Sequence, residues 1–182
     1  MADVCPPAPL AGCRSSASQH ATLLLRDSTD DRKDALRWKL TRGANATRSA
    51  FGDPIGGSSA VRLCVYDASV SPQPLVVGAV PAGGTCGTKP CWRGLGSSGY
   101  RYKDRAGSSA GVTDLKLRTS ASGEAQMVAK AKGLKLPMPD LGLTLPVTVQ
   151  LVTGDGTAAE CWESTFESAT KNDATQFRAT SP

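Results

Sequence analysis

The chain predicts an all-β fold: an antiparallel sandwich of two sheets, about eight or nine strands, stapled by three disulfides. Three observations carry this. Apolar and polar residues alternate with a period of two in one segment after another, which places one face of each strand in a core and the other in water. Gly and Pro account for 19 and 12 of 182 residues and punctuate the chain into short elements. Six cysteines accompany a single histidine, an even count that reads as a disulfide framework and hence as an exported protein.

Taken in order, residues 1–20 are rich in Pro, Ala and Ser and read as an irregular lead-in, tied down by a Cys5–Cys13 bridge. Leu23 and Leu25 then flank Leu24. Leu36, Trp38 and Leu40 alternate with Arg37 and Lys39, and Val61, Leu63 and Val65 with Arg62, Cys64 and Tyr66. Tyr100 and Tyr102 alternate with Arg101 and Lys103, and Leu115 and Leu117 with Lys116 and Arg118. Leu134 and Leu136 bracket Lys135; Val147, Val149 and Leu151 alternate with Thr148 and Gln150. Turn residues separate these runs, among them Gly52-Asp53-Pro54, Gly83-Gly84, Gly96 to Gly99, Gly107-Ser108-Ser109 and Gly154-Asp155-Gly156. Ala121 to Lys132 is the best helix window by composition, but it also alternates and is bounded by Gly123 and Gly133, so a strand is expected. The hairpin over Thr22–Gly43 has an echo at Asp114–Gly133; any two amphipathic hairpins share that grammar, and a true repeat would give them related positions. The domain is expected over 21–178, with 179–182 as a tail.

Hydrophobic residues make up 40% of the chain and aromatics only 5%, so the core is mainly aliphatic. Net charge is +5 and the pI about 9.0. From Arg93 to Lys135 basic residues outnumber acidic ones by nine to three. Such a block is either a solvated sheet face or an attractor for polyanions. No apolar run approaches the roughly 18–20 residues that span a bilayer, so no membrane span is expected. The opening Met-Ala-Asp-Val-Cys has neither a basic nor an apolar leader region, so export implies a leader already removed. No Cys-x-x-Cys pair suggests zinc.

The most specific local motif is Cys86-Gly87-Thr88-Lys89-Pro90-Cys91-Trp92. A Cys86–Cys91 bridge makes a stapled hairpin corner that presents Lys89, with Trp92 either packed on the sulfurs or facing a ligand. Trp92, Tyr100, Tyr102, Lys89 and Lys103 are therefore the candidate ligand contacts, and replacing Trp92 and Tyr100 by Ala is expected to abolish binding with little loss of stability. Cys64–Cys161 is expected to join two distant strands, worth roughly 4–5 kcal/mol in the chain-entropy model, with Trp162 packed beside it. The acids Asp27, Asp30, Asp31 and Asp34 offer oxygen ligands but lack the EF-hand Gly and Glu spacing, and read as a capped turn. His20 is the one residue on which a Ser-His-Asp triad could be built, and no Gly-x-Ser-x-Gly elbow or Gly-rich phosphate loop is present. No catalytic residue, metal or cofactor is expected. Asn45-Ala46-Thr47 matches a glycosylation acceptor.

Leu63-Cys64-Val65-Tyr66-Asp67, Pro81-Ala82-Gly83-Gly84-Thr85-Cys86, Lys89-Pro90-Cys91-Trp92, Tyr100-Arg101-Tyr102-Lys103-Asp104, Cys161-Trp162 and Lys171-Asn172-Asp173 together resemble a group of uncharacterised secreted disulfide-containing proteins of environmental bacteria. The resemblance covers Cys13 to Phe177 and implies export and a single domain. No activity is known for that group, so it assigns no site residue.

The function expected is a secreted, non-catalytic binding or surface-structural module that recognises a polysaccharide or other cell-surface polymer, with no specific nucleic-acid partner. Two alternatives remain from other classes. One is a subunit of an extracellular fibre, assembling through the Leu134–Val152 segment as an exposed edge. The other is a carboxylate-dependent glycan hydrolase, since paired acids leave no sequence signature.

Overall fold

In the computed structural model, which describes residues 5–154 and 160–181, the chain is an antiparallel β-sandwich. Its strands are β1 (His20–Arg26), β2 (Ala35–Asn45), β3 (Val61–Tyr66), β4 (Val76–Val80), β5 (Thr85–Cys86), β6 (Lys89–Pro90), β7 (Trp92–Gly94), β8 (Gly99–Lys103), β9 (Val112–Thr119), β10 (Glu124–Lys132), β11 (Val147–Thr153), β12 (Glu160–Phe166), β13 (Lys171–Asp173) and β14 (Gln176–Ser181). Eight form one sheet in the order β13-β14-β1-β2-β10-β9-β8-β7, and four form the other in the order β12-β11-β3-β4. β5 and β6 are a separate two-stranded hairpin.

The alternation in the sequence sets which face is buried. Leu23, Leu25, Leu36, Trp38, Leu40, Leu115, Leu117, Met127 and Ala129 from the large sheet meet Val61, Leu63, Val65, Val147, Val149, Leu151, Trp162 and Phe166 from the small one. The indole Nε1 of Trp38 donates to Ser164 Oγ at 2.8 Å, a hydrogen bond across the two layers that satisfies both buried polar atoms. Residues 124–132 are a strand, as their alternation requires. The β1–β2 and β9–β10 hairpins sit side by side in the order β1-β2-β10-β9, joined where Lys39 faces Val128 and Trp38 faces Ala129.

Several expectations need correction. The sheets hold more strands than the sequence displays, because β7 and β13 have only three residues each, too few to show a period. Leu134–Leu136 is no strand: Gly133 turns the chain at φ 83°, Leu134 is 71% exposed and Leu136 drops into the core. Residues 179–181 are no tail, since β14 continues through them, Ala179 is buried, and Ser181 Oγ accepts the Ala21 N–H. The Leu134–Val152 segment provides no edge, because β11 lies in the middle of the small sheet between β12 and β3.

Two of the three cysteine pairings also differ. Cys86–Cys91 forms as expected, but the others are Cys5–Cys64 and Cys13–Cys161. Cys64 lies on β3 and Cys161 on β12, with β11 between them. Two strand spacings put them about 9.6 Å apart, beyond the roughly 7 Å that a disulfide allows. Instead the N-terminal segment crosses the outer face of the small sheet as a strap, with one anchor on each strand. Cys5 bonds Cys64 on β3 and Cys13 bonds Cys161 on β12. Between them, Gln150 of β11 donates Nε2–H to Leu10 O and accepts Leu10 N–H at Oε1, both at 2.9 Å. Arg14 ends the strap in a parallel bridge to Trp162 and an ion pair to Glu160 at 2.7 Å. The strap explains why every residue of β3 is buried, including those in its polar phase.

Candidate functional site

The stapled hairpin and the edge of the large sheet enclose a groove of about 550 Å³. Cys86 to Cys91 form one wall, Arg93, Arg101 and Lys103 the floor, and Asp104 to Ala106 the far wall. The floor is built by register: Arg93 faces Arg101 across β7–β8, while Trp92 faces Tyr102 on the opposite, core side. Five cations therefore line the groove: Lys89, Arg93, Arg101, Lys103 and Arg105. Arg101 is committed to Asp114 through a two-point contact, Nε–Oδ1 at 3.0 Å and Nη2–Oδ2 at 2.7 Å. Lys89, Arg93, Lys103 and Arg105 form no salt bridge with a described residue.

The one acid that lines the groove, Asp104, is buried and taken up by hydrogen bonds. Its carboxylate accepts the backbone N–H of Ala106 at 2.9 Å and of Ser108 at 2.6 Å, and the Tyr102 hydroxyl at 3.4 Å. These bonds fix the wall. Burial pushes this carboxyl up, but the hydrogen bonds outweigh it and hold its pKa below the ordinary 3.8. Asp67, which accepts from Ser69, Gln73 and Thr144, and Asp53, which accepts from Ile55 and Gly56, are lowered in the same direction. A carboxyl with a lowered folded pKa stabilises the fold above its unfolded value and ceases to do so as pH falls through the folded one. The melting temperature is expected to stay level from neutral pH to about 5 and to fall below about 4, with Asp104→Asn less acid-sensitive than the native chain. Circular dichroism melts across that range check this, and a level profile down to about pH 2 contradicts it.

Of the five candidate ligand contacts, Lys89 and Lys103 are exposed and line the groove. The three aromatic candidates are corrected: Trp92, Tyr100 and Tyr102 are buried, at 3, 4 and 2% exposure. Trp92 and Tyr102 pack on each other with ring centroids 5.3 Å apart, and Trp92 Nε1 donates to Pro81 O at 2.9 Å. Tyr100 lies beneath the Arg48 guanidinium, 4.3 Å from its ring centroid, in a second groove that also contains Ser49 and Asp53. In fact all nine aromatic residues of the chain are in the core.

The groove opens onto a larger feature that the sequence shows only in fragments. Outward-facing cations project from seven consecutive strands of the large sheet: Arg93 on β7; Arg101 and Lys103 on β8; Lys116 and Arg118 on β9; Lys130 and Lys132 on β10; Arg37, Lys39 and Arg42 on β2; Arg26 on β1; and Arg178 on β14. That is twelve of the 21 cations of the chain, on strands that carry two acids, Asp114 and Glu124. On the eighth strand, β13, Lys171 is offset by Asp173 at 3.1 Å. The signal was in the phase of each strand: Arg37/Lys39, Arg101/Lys103, Lys116/Arg118 and Lys130/Lys132 all occupy polar positions of an alternating run. What the sequence lacks is the strand order that assembles them.

Asp30 caps a short 3₁₀ turn at Asp31–Lys33 and pairs with Arg32, and Asp34 accepts Ser28 N–H, so this acidic run is the capped turn expected of it. Among the described residues no group of three or more His, Cys, Asp or Glu side chains is placed to hold a metal. Asp155 of the Gly154-Asp155-Gly156 turn lies outside the described residues. Among those residues no helix is long and apolar enough to cross a membrane. Comparison with protein-family models, curated sequences and solved structures finds no match for this chain.

Proposed function

We propose that the protein is a secreted, non-catalytic binding module that holds an anionic cell-surface polysaccharide in the groove beside the Cys86–Cys91 hairpin. The observation that carries this reading is the contrast between cations and rings: five cations line the groove while every aromatic side chain is buried. A module for neutral glycans, or for bases of single-stranded nucleic acid, uses exposed aromatic faces for stacking, and none is available. Charge is what this surface offers a ligand. Three disulfides support an oxidising compartment such as the extracellular space or the periplasm. The glycan-hydrolase alternative draws no support from the grooves, where Asp53 and Asp104 each stand as the single acid. The fibre alternative loses the edge on which it rested.

The test is retention on immobilised polygalacturonate against neutral dextran at increasing salt. The native protein is expected to bind the acidic polymer alone and to elute with salt. Lys89→Ala/Lys103→Ala is expected to weaken binding about tenfold with an unchanged melting curve, because both side chains are exposed. Equal retention on both polymers, or no effect of the double substitution, contradicts the reading.

A further inference from the structure

We propose that the outer face of the eight-stranded sheet is a track for one linear, carboxylate-bearing polysaccharide, which enters at the hairpin groove and crosses the strands instead of running along them. This rests on the groove reading and extends it to the length and direction of the ligand.

The direction follows from sheet geometry. Along any one strand the same face recurs about every 6.8 Å, and these strands carry one or two exposed cations each, or three on β2. Across the sheet, neighbouring strands are about 4.8 Å apart and each of seven in succession contributes a cation. A chain laid along a strand therefore meets two or three positive charges, and one laid across two adjacent rows meets eight, from six of the seven strands, over roughly 29 Å. The register places the partners in rows. Arg93 faces Arg101, which faces Lys116; one row over, Lys130 faces Arg37. Between the cations lie Val128, Leu24, Thr22 and Gln126, half-buried in the sheet surface, a floor for the C–H faces and hydroxyls of sugar rings. Acids on this face are few, and Asp114 is held by Arg101. Double-stranded nucleic acid is the poorer fit, since proteins read it with a helix or two-stranded ribbon narrow enough for a groove. An anionic bilayer satisfies the charge but has no use for one cation per strand.

The test uses sodium oligogalacturonates of two to about twelve sugars, titrated against the native protein, against Arg37→Gln/Lys39→Gln in the middle of the track, and against Lys89→Ala/Lys103→Ala in the groove. Affinity for the native protein is expected to climb with length to about seven sugars and then level. Arg37→Gln/Lys39→Gln should bind the disaccharide within about twofold of native, bind long chains about tenfold more weakly, and show a salt dependence shallower by about one unit per cation removed. Affinity independent of length, or long chains indifferent to Arg37→Gln/Lys39→Gln while Lys89→Ala/Lys103→Ala still weakens them, overturns the track and leaves the groove standing. Tighter binding to phosphatidylserine vesicles or duplex DNA than to the longest oligosaccharide at matched charge also overturns it. Failure of every oligosaccharide to bind removes both.

Discussion

Replacing Cys13 and Cys161 together by Ala is expected to lower the unfolding free energy by about 5 kcal/mol, the largest single effect available in this chain. The bond closes a loop with a sequence separation of 148, and the chain-entropy model assigns roughly 5 kcal/mol to such a loop. Cys5–Cys64, at a separation of 59, is worth about 4 kcal/mol on the same scale, and Cys86–Cys91, at 5, about 2. The first two also hold the strap. Releasing it uncovers the small cluster of Tyr66, Val152, Leu10 and Val77 on the outer face of the small sheet and leaves the buried Gln150 amide without its Leu10 partners. A melting temperature lower by about 10–20 °C is expected for a chain of this length. Denaturant unfolding of the double variant measures the loss, and one no larger than that of Cys86→Ala/Cys91→Ala would contradict it.

The pairing itself has a direct chemical check. Cys5 and Cys13 fall in one tryptic fragment, residues 1–14, because no Lys or Arg precedes Arg14. A Cys5–Cys13 bond would release that fragment alone from unreduced protein. The pairing in the structure instead links it covalently to both 63–93 and 136–171, and mass spectrometry separates the two outcomes.

These bonds also mark where sequence reading stops. Nearness along the chain favours Cys5–Cys13, but six cysteines allow fifteen pairings, and the choice depends on strand order. The strand order β12-β11-β3 puts Cys64 and Cys161 out of mutual reach and brings each within reach of one end of the strap. The sandwich was legible for the opposite reason: alternation is local, and each strand states its own buried face. Where alternation competed with composition, as at 124–132, alternation prevailed because the neighbouring strands β2 and β9 supply partners on both sides. Leu134 and Leu136 imitate a strand over three residues, too short a run to tell a strand from a turn that drops one leucine into the core. For the candidate site, Lys89 and Lys103 were readable as the exposed tip and flank of a stapled hairpin. The aromatic candidates were not consistent with their own pattern: if Arg101 and Lys103 face water, then Tyr100 and Tyr102 face the core.

Trp92 gives that point its sharpest test. As a ligand contact it would be dispensable for folding; as a core residue it is not. It is 3% exposed, packs against Tyr102 beneath the hairpin disulfide, and spends its one polar hydrogen on Pro81 O. Trp92→Ala deletes a whole buried ring and leaves a cavity between the hairpin and β8, so the expected loss is about 3–5 kcal/mol. Trp92→Phe retains most of the apolar contact and forfeits chiefly the indole hydrogen bond, for about 1 kcal/mol. The two variants therefore separate packing from hydrogen bonding, and both are read by denaturant unfolding alongside polygalacturonate retention. Trp92→Ala is expected to melt roughly 10 °C lower, and Trp92→Phe to keep native retention. A Trp92→Ala protein with an unchanged melting curve and no retention would return the ring to the binding surface, and with it the neutral-glycan chemistry that the buried aromatics argue against.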